Sequence, residues 1–286
     1  MVMVKQLKNR LEKILIEGRL KQRGITATLD SEDVFLRLQR SYNGVPEYGY
    51  DDFSTWKRAA LRTLYMLEDF DLRTNGLKIL DAGCGKGMLG VLIHSYGHDI
   101  DLVDFEDWRD DRAKPLPFYN LPLEDLSPIQ SEQYDFICSF NSFEHVVDPA
   151  AALDELMRIC KPGGKIYLDF GPLYRGPWGL HAYRTLKMPY PQFLFSEAYI
   201  QTKLNELGIN DLGRDSDQLQ PLNKWRYANF VTLWENNPKV ECNFQNRMRN
   251  EQYLSIILRY SRAFQGRGLS YIDLTTQGIQ VLLRKI

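Results

Sequence analysis

The feature that most limits what this chain can become is an alternation of glycines after an apolar run. It reads Ile79-Leu80-Asp81-Ala82-Gly83-Cys84-Gly85-Lys86-Gly87 and passes into the apolar segment Met88-Leu89-Gly90-Val91-Leu92-Ile93. Glycine has no Cβ and enters positive φ freely, so a strand can leave a sheet here in a tight bend. The helix that follows aims its positive N-terminal end at the same spot. Strand, glycine turn and helix in that order mark a nucleotide-type cofactor site. The spacing departs from the dinucleotide fingerprint Gly-x-Gly-x-x-Gly, since the third glycine is Gly87 and the sixth position is Met88. Asp81 also stands two residues before the first glycine. A carboxylate there repels a pyrophosphate and attracts the ammonium of a cofactor that carries an amino acid.

The next segments continue the pattern. Ile100-Asp101-Leu102-Val103-Asp104-Phe105 reads as a second strand ending in a carboxylate, Asp104, suited to accept hydrogen bonds from both hydroxyls of a ribose. Tyr134 to Phe140 is another apolar run and leads into Asn141-Ser142-Phe143-Glu144-His145-Val146-Val147-Asp148-Pro149. Asp148 is a good N-cap and Pro149 suits the first helical position. Leu153, Leu156, Met157 and Cys160 then fall at helical spacing, before Lys161-Pro162-Gly163-Gly164 stops the helix and Lys165 to Phe170 forms the next strand. Apolar runs alternating with helical stretches predict a doubly wound α/β fold with a mostly parallel sheet. In such sheets ligands bind at the carboxyl ends of the strands, where the glycine turn, Asp104 and Asn141 all fall.

The glycine turn with its Asp81, followed at strand spacing by Asp104, resembles the first motifs of the class I S-adenosylmethionine (SAM)-dependent methyltransferases. The run Phe-Glu-His-Val-Val-Asp-Pro, then a helix, Lys-Pro-Gly-Gly and a strand, is similar to the ubiquinone/menaquinone-type branch of small-molecule methyltransferases. The resemblance covers residues 77–171. It implies a seven-stranded Rossmann-like sheet and SAM as cofactor, held by Asp81, Gly83, Gly85, Gly87, Asp104, Phe105, Leu123 and Asn141. One departure concerns adenine. The family's third motif carries an Asp where this chain has Pro122, so the adenine edge falls to the backbone at Leu123 or to Glu124, with Phe105 or Trp108 as the ring's apolar face.

After the fifth strand, Gly171 to His181 is rich in glycine, proline and aromatics. Its Pro-x-Tyr-x-x-Pro-x-Gly-x-His pattern is similar to a subgroup of bacterial methyltransferases linked to glycan or cell-surface modification. The resemblance places this loop over the cofactor's methyl end. Tyr174, Arg175 and Glu144 are then candidate acceptor-binding residues. His181 is the first candidate general base, or alternatively a hydrogen-bond donor. His145 is the second candidate base, or alternatively a residue that fixes the turn after the fourth strand. Glu144 and His145 suggest a divalent metal, but no third ligand accompanies them and no metal site is expected. The expected activity is O-methylation of a small-molecule or glycan-type acceptor by in-line displacement. The alternative is a non-catalytic module of the same fold that serves another enzyme as partner or regulator.

The remaining sequence sets the organisation. Residues 1–73 read as an N-terminal helical lid and 74–286 as the methyltransferase domain, with an inserted cap over about 172–223 and an added helix over about 247–264. The chain's end, Gly278 to Lys285, suits an antiparallel last strand paired with one near Val240 to Phe244. In the first helix Val4, Leu7, Leu11, Ile14 and Leu15 make an apolar stripe, with Lys5, Lys8, Arg10 and Lys13 on other faces. Such a helix either packs on the domain or lies on an acidic membrane as a peripheral contact. Tyr48, Tyr50 and Trp56 either line the site or fasten the next helix, and His94 and His98 read as surface residues. With 36 basic and 37 acidic side chains, a formal charge of -1 makes no case for nucleic acid. Four scattered cysteines point to reduced thiols. No 18-residue apolar run and no signal-peptide h-region occur, so no transmembrane segment and a cytoplasmic location are expected.

Overall fold

The structure, a computed structural model, describes residues 2–22, 26–44, 49–70, 72–73, 76–211 and 214–286, without the side chains of 2–9, 210, 211 and 214. Tyr48 therefore lies outside the described residues, as do the side chains of Val4, Lys5, Leu7 and Lys8. The chain divides into two compact units, one of residues 1–47, 172–220 and 248–277 and the other of residues 48–171, 221–247 and 278–286.

The second of these units holds a seven-stranded sheet. Its strands are β1 (Lys78–Ala82), β2 (Asp99–Asp104), β3 (Phe118–Asn120), β4 (Tyr134–Phe140) and β5 (Cys160–Phe170). Two more follow after a long interval. In spatial order the sheet runs β3-β2-β1-β4-β5, then the chain-terminal strand Thr276–Lys285, then the strand Val240–Arg249. The first five are parallel, with Ile79 opposite Ile100 on one side and Phe136 on the other. The terminal strand pairs antiparallel with β5, Ile166 facing Leu283. This is the doubly wound architecture expected from the alternating pattern. The order reverses between β1 and β4, so the crevice at the switch point lies at the ends of these two strands, beside Asp81 and Asn141.

Helices pack on this sheet, among them Tyr227–Glu235, whose Phe230 ring lies against Phe170 of β5. Helix α3 (Asp52–Asp69) starts where the Asp51 carboxylate accepts the Ser54 N–H at 2.9 Å, and it buries Ala59, Thr63, Met66 and Leu67. Helix α4 (Met88–Ser95) packs against α3. Helix α5 (Pro149–Ile159) opens with Asp148 capping the Ala150 and Ala151 N–H groups and Pro149 in its first turn. It ends one residue earlier than its apolar spacing suggests, and Cys160 starts β5. Leu80, Ile79, Ile137, Leu153 and Leu156 have no exposed surface, and burying each such side chain stabilises by about 1.5–3 kcal/mol. His98, expected at the surface, is buried, with Nε2 2.9 Å from the Leu72 carbonyl. Nε2 thus has a backbone partner, whereas Nδ1 is buried with none among the described residues.

The other unit is mainly helical. It contains α1 (Val2–Lys21), α2 (Glu32–Ser41), the turn of helix Pro191–Leu194, the helix Glu197–Leu207 and the hairpin Ile209–Asp211 with Arg214–Ser216. Short helices Leu254–Arg259, Ser261–Phe264 and Tyr271–Thr275 complete it. The helix expected over 247–264 is thus two short ones broken at Tyr260, and the strand before it runs on to Arg249. Residues 1–73 do not form one piece: 1–47 belong to this unit and α3 to the sheet unit. Ile16, Phe35, Leu38, Tyr190, Phe195, Ile257 and Phe264 share its core, with the Tyr190 hydroxyl donating to the Leu274 carbonyl at 2.7 Å. Helix α1 packs through Ile16, whereas Leu11, Ile14 and Leu15 of its expected apolar stripe face outward. Among the described residues no helix is long and apolar enough to cross a membrane.

Candidate functional site

The glycine turn in the sheet unit is built as its spacing requires. Gly83, Gly85 and Gly87 have φ of 80°, 52° and 71°, all in the left-handed region. Two of them are also forced by packing. A Cβ on Gly83 would stand 2.1 Å from the Ser142 hydroxyl, and one on Gly87 would stand 2.7 Å from the Ala113 methyl. Gly85 differs, for a Cβ there would meet nothing within 4 Å. It borders open space at the strand ends, a cradle that a side chain would fill.

Four of the turn's amides are bonded within the protein. The N–H groups of Gly83 and Cys84 both go to the Val103 carbonyl, at 2.8 and 3.1 Å, and that of Gly87 goes to the Cys84 carbonyl at 2.9 Å. The N–H of Gly85 donates to the Asp104 carboxylate at 2.8 Å. The bend therefore sets two carboxylates beside four internally bonded amides, acceptors that suit hydroxyls and an ammonium.

Both carboxylates are buried, and that sets their acidity. Burial pushes Asp81 up to about 7, with Arg62 opposing and Asp104 adding to the shift. Burial also raises Asp104, to about 6, against the N–H groups of Gly85, Phe105 and Glu106 that stabilise its anion. Asn141, at the end of β4, is held in the left-handed region at φ 53° by donating its N–H to the Asp169 carbonyl at 2.8 Å. Phe105 stands two-thirds exposed beside Asp104, edge-on to Trp108 with ring centroids 6.3 Å apart.

The loop after β3 narrows the adenine question. Leu123 has its side chain buried, so any ligand contact there is through backbone. The Glu124 carboxylate is occupied otherwise: its Oε1 accepts the N–H of Val147 at 2.5 Å and of Asp148 at 3.3 Å. It anchors the turn that starts α5.

Beyond β4, Glu144 and His145 are clamped by residues 221–223. Asn223 donates its N–H to the Glu144 carbonyl at 3.1 Å and its side-chain amide to the Phe143 carbonyl at 2.9 Å. His145 Nδ1 lies 2.8 Å from the Pro221 carbonyl. A carbonyl only accepts, so Nδ1 carries the proton and Nε2 is the basic nitrogen of the neutral ring. That Nε2 lies 3.9 Å from Glu144 Oε1. Glu144 is buried and pushed up to about 8, chiefly by desolvation, although Oε1 accepts the Gly171 N–H at 3.2 Å. Its Oε2 is buried with no hydrogen bond among the described residues. A buried carboxyl oxygen without a partner is rare and marks a place where something else belongs.

Arg62 is the residue that sequence reasoning missed. It lies on α3 with its guanidinium carbon 4.4 Å from the centre of the Phe140 ring. Its charge stabilises the anions of Asp81, Glu144 and Asp169 together. The only local signal is its place next to the buried helix face of Ala59, Thr63 and Met66.

Tyr174, Arg175 and His181 belong to the other compact unit. There the Tyr174 carbonyl accepts the Gln192 side-chain amide at 2.7 Å, and its ring stands edge-on to Phe193. His181 is left-handed at φ 60° with Nε2 2.7 Å from the Pro172 carbonyl, which leaves Nδ1 as the basic nitrogen of the neutral ring.

The model of a methyltransferase domain family matches residues 53–233. The ubiquinone biosynthesis O-methyltransferase of Acinetobacter baumannii (strain AYE) is 29% identical over 119 residues, covering 37% of this chain and 49% of that protein. That of Acinetobacter baylyi is 29% identical over 111 residues, 36% of this chain and 46% of that protein. The chain spans about half the length of the curated relatives it matches. Among solved structures, an S-adenosylmethionine-dependent methyltransferase from Mesorhizobium loti is similar, with 15% identity, a TM-score of 0.49 and coverage of 83% of this chain and all of that one.

Proposed function

This chain belongs to the class I SAM-dependent methyltransferases, and from that premise we propose that it methylates a hydroxyl of a small-molecule or glycan-type acceptor. The cofactor is SAM. The observation that supports the site assignment best is the pairing of two carboxylates beside internally bonded amides. Asp81 and Asp104 meet a ligand at a turn where the N–H groups of Gly83, Cys84, Gly85 and Gly87 are bonded internally. Asp81 suits the ammonium of the methionine moiety and Asp104 the ribose hydroxyls, with Phe105 against the adenine face, Asn141 beside the methionine end and the Leu123 backbone at the adenine edge. Gly85 leaves the room.

When bound, SAM would supply a methyl group on a positively charged sulfur, with S-adenosylhomocysteine as the leaving group. The chain's own task is to place the acceptor oxygen, exclude water and take its proton. His145 is proposed as the base, because its Nδ1 donates to the Pro221 carbonyl and Nε2 is therefore the basic nitrogen of the neutral ring. Glu144 is proposed to meet the acceptor through its buried Oε2. Tyr174 and Arg175 are proposed as acceptor contacts, and His181 as a second candidate base on the same tautomer argument. The choice of oxygen also draws on the O-methyltransferase relatives, and the glycan reading on the Pro-x-Tyr-x-x-Pro-x-Gly-x-His loop.

The test is methyl transfer from radiolabelled SAM to a panel of catechols, phenols and glycan hydroxyls. His145→Asn, His181→Asn and Glu144→Gln are compared with wild type. Loss of a general base lowers turnover by about 10²–10⁴-fold while S-adenosylhomocysteine affinity stays within about threefold. If both His145→Asn and His181→Asn keep full turnover, the base assignment is wrong. If calorimetric titration shows no binding of S-adenosylhomocysteine, the non-catalytic module replaces the enzyme.

A further inference from the structure

We propose that the outward face of α1 docks on an anionic lipid surface. Helix α1 joins its unit through Ile16, which is fully buried, with Leu20 partly so. The opposite face carries Leu11, Ile14 and Leu15 at 53%, 57% and 56% exposure. At 100° per residue these three and Gly18 fall within one stripe. A Cβ placed on Gly18 would meet nothing within 4 Å, so the face is open along this length. Three large aliphatic side chains adjacent on one helix and half in water differ from the scattered exposed apolar residues of ordinary surfaces.

Charge selects the occupant. Helix α1 carries Lys5, Lys8, Arg10, Lys13, Arg19 and Lys21 against Glu12 and Glu17, a net of +4 in a chain whose total is -1. The rest of the molecule therefore carries -5, and positive charge is concentrated on this helix. Arg10 and Lys21 flank the apolar stripe on one side and Arg19 on the other, all three exposed. Long basic side chains at the edges of an apolar stripe can reach phosphate headgroups while the aliphatic groups enter the acyl boundary. A second copy of the chain is a poor occupant by the same count. Packing stripe against stripe would bring two helices of +4 together and repel.

The test uses the full chain and sucrose-loaded vesicles of phosphatidylcholine, alone or with about one quarter phosphatidylglycerol. Each basic side chain near an anionic surface strengthens binding by roughly fivefold, so partition onto the mixed vesicles should exceed that onto the neutral ones by at least tenfold. Raising salt from about 0.1 M to about 0.5 M should remove most of that difference. Ile14→Asp and Leu15→Asp should each lower partition about tenfold, and Arg10→Glu combined with Arg19→Glu should do the same. All sit on exposed positions, so their melting temperatures should match wild type. The inference is overturned by absent partition onto the mixed vesicles, or by Ile14→Asp and Leu15→Asp binding as well as wild type. A wild-type dimer in light scattering that becomes monomeric in Ile14→Asp would overturn it too, since the stripe would then be a self-association seam. None of these readings depends on cofactor binding or turnover, so this inference and the methyl-transfer reading fail separately.

Discussion

Acidifying the solution should expel the cofactor, and the two raised carboxyls say by how much. Asp81 at about 7 and Asp104 at about 6 must both be ionised to receive an ammonium and ribose hydroxyls. Near pH 7.5 roughly three-quarters of the molecules hold both charges, whereas near pH 5.5 fewer than about one in a hundred does. The affinity for S-adenosylhomocysteine should therefore fall about 100-fold between those conditions, and about one proton should leave the protein per ligand bound near pH 6.5. Most of that proton comes from Asp81. The assay is isothermal titration calorimetry at each pH in two buffers of different ionisation enthalpy, which counts the protons directly. Asp81→Asn should bind more weakly near pH 7.5 and release only about a quarter of a proton near pH 6.5, the share left to Asp104. Affinity constant within about threefold across this range, with heats independent of buffer, would refute the reasoning. It would mean that the carboxyls are not the groups that meet the ligand.

Four further outcomes follow from the same geometry. Gly85→Ala should keep the melting temperature within a few degrees yet lower S-adenosylhomocysteine affinity by about tenfold or more, because its new methyl enters the open cradle at the left-handed cost of only about 1 kcal/mol. Gly83→Ala should instead damage the fold itself, by about 2–3 kcal/mol in urea unfolding, since its methyl would collide with Ser142. Arg62→Met should move the pH midpoint of cofactor binding upward by about half a unit or more, because the cation opposing protonation of Asp81 is gone. The folded chain without ligand should lose stability as pH rises from about 4 to about 7. Asp81 has a folded value above its unfolded one, so ionisation costs the native state, on the order of 4 kcal/mol for this group alone, and denaturant unfolding at each pH measures it.

How far the site could be read from the chain alone depends on how local each signal is. Asp81, the three glycines and Asp104 lie on two consecutive strands and the turn between them, so spacing alone places them at one sheet edge. The Asp148-Pro149 start of α5 is equally local and folds as its residue types require. Arg62 is different: the second half of α3 and a linker separate it from Asp81, and the packing of α3 against α4 fixes it near the strand ends. Glu124 had a side chain suited to adenine, but two backbone N–H groups at the start of α5 claim it first. The stripe of α1 shows the limit most clearly. Its periodicity identifies Leu11, Ile14 and Leu15 as one face, but not which face the neighbouring helices will cover, and they cover Ile16 instead.

A similar contrast separates this glycine turn from a dinucleotide fingerprint. Both kinds of site use a strand, a glycine bend and a helix, so backbone shape alone does not discriminate between them. What discriminates is where the hydrogen-bond donors go. In a pyrophosphate site the amides of the bend must point at the ligand. Here the Val103 carbonyl takes two of them, the Cys84 carbonyl takes a third, and the fourth goes to Asp104, whose other oxygen can still accept from a ligand. Four of the bend's amides are satisfied within the protein and two carboxylates stand beside them, and a ligand that brings hydroxyls and an ammonium complements those acceptors.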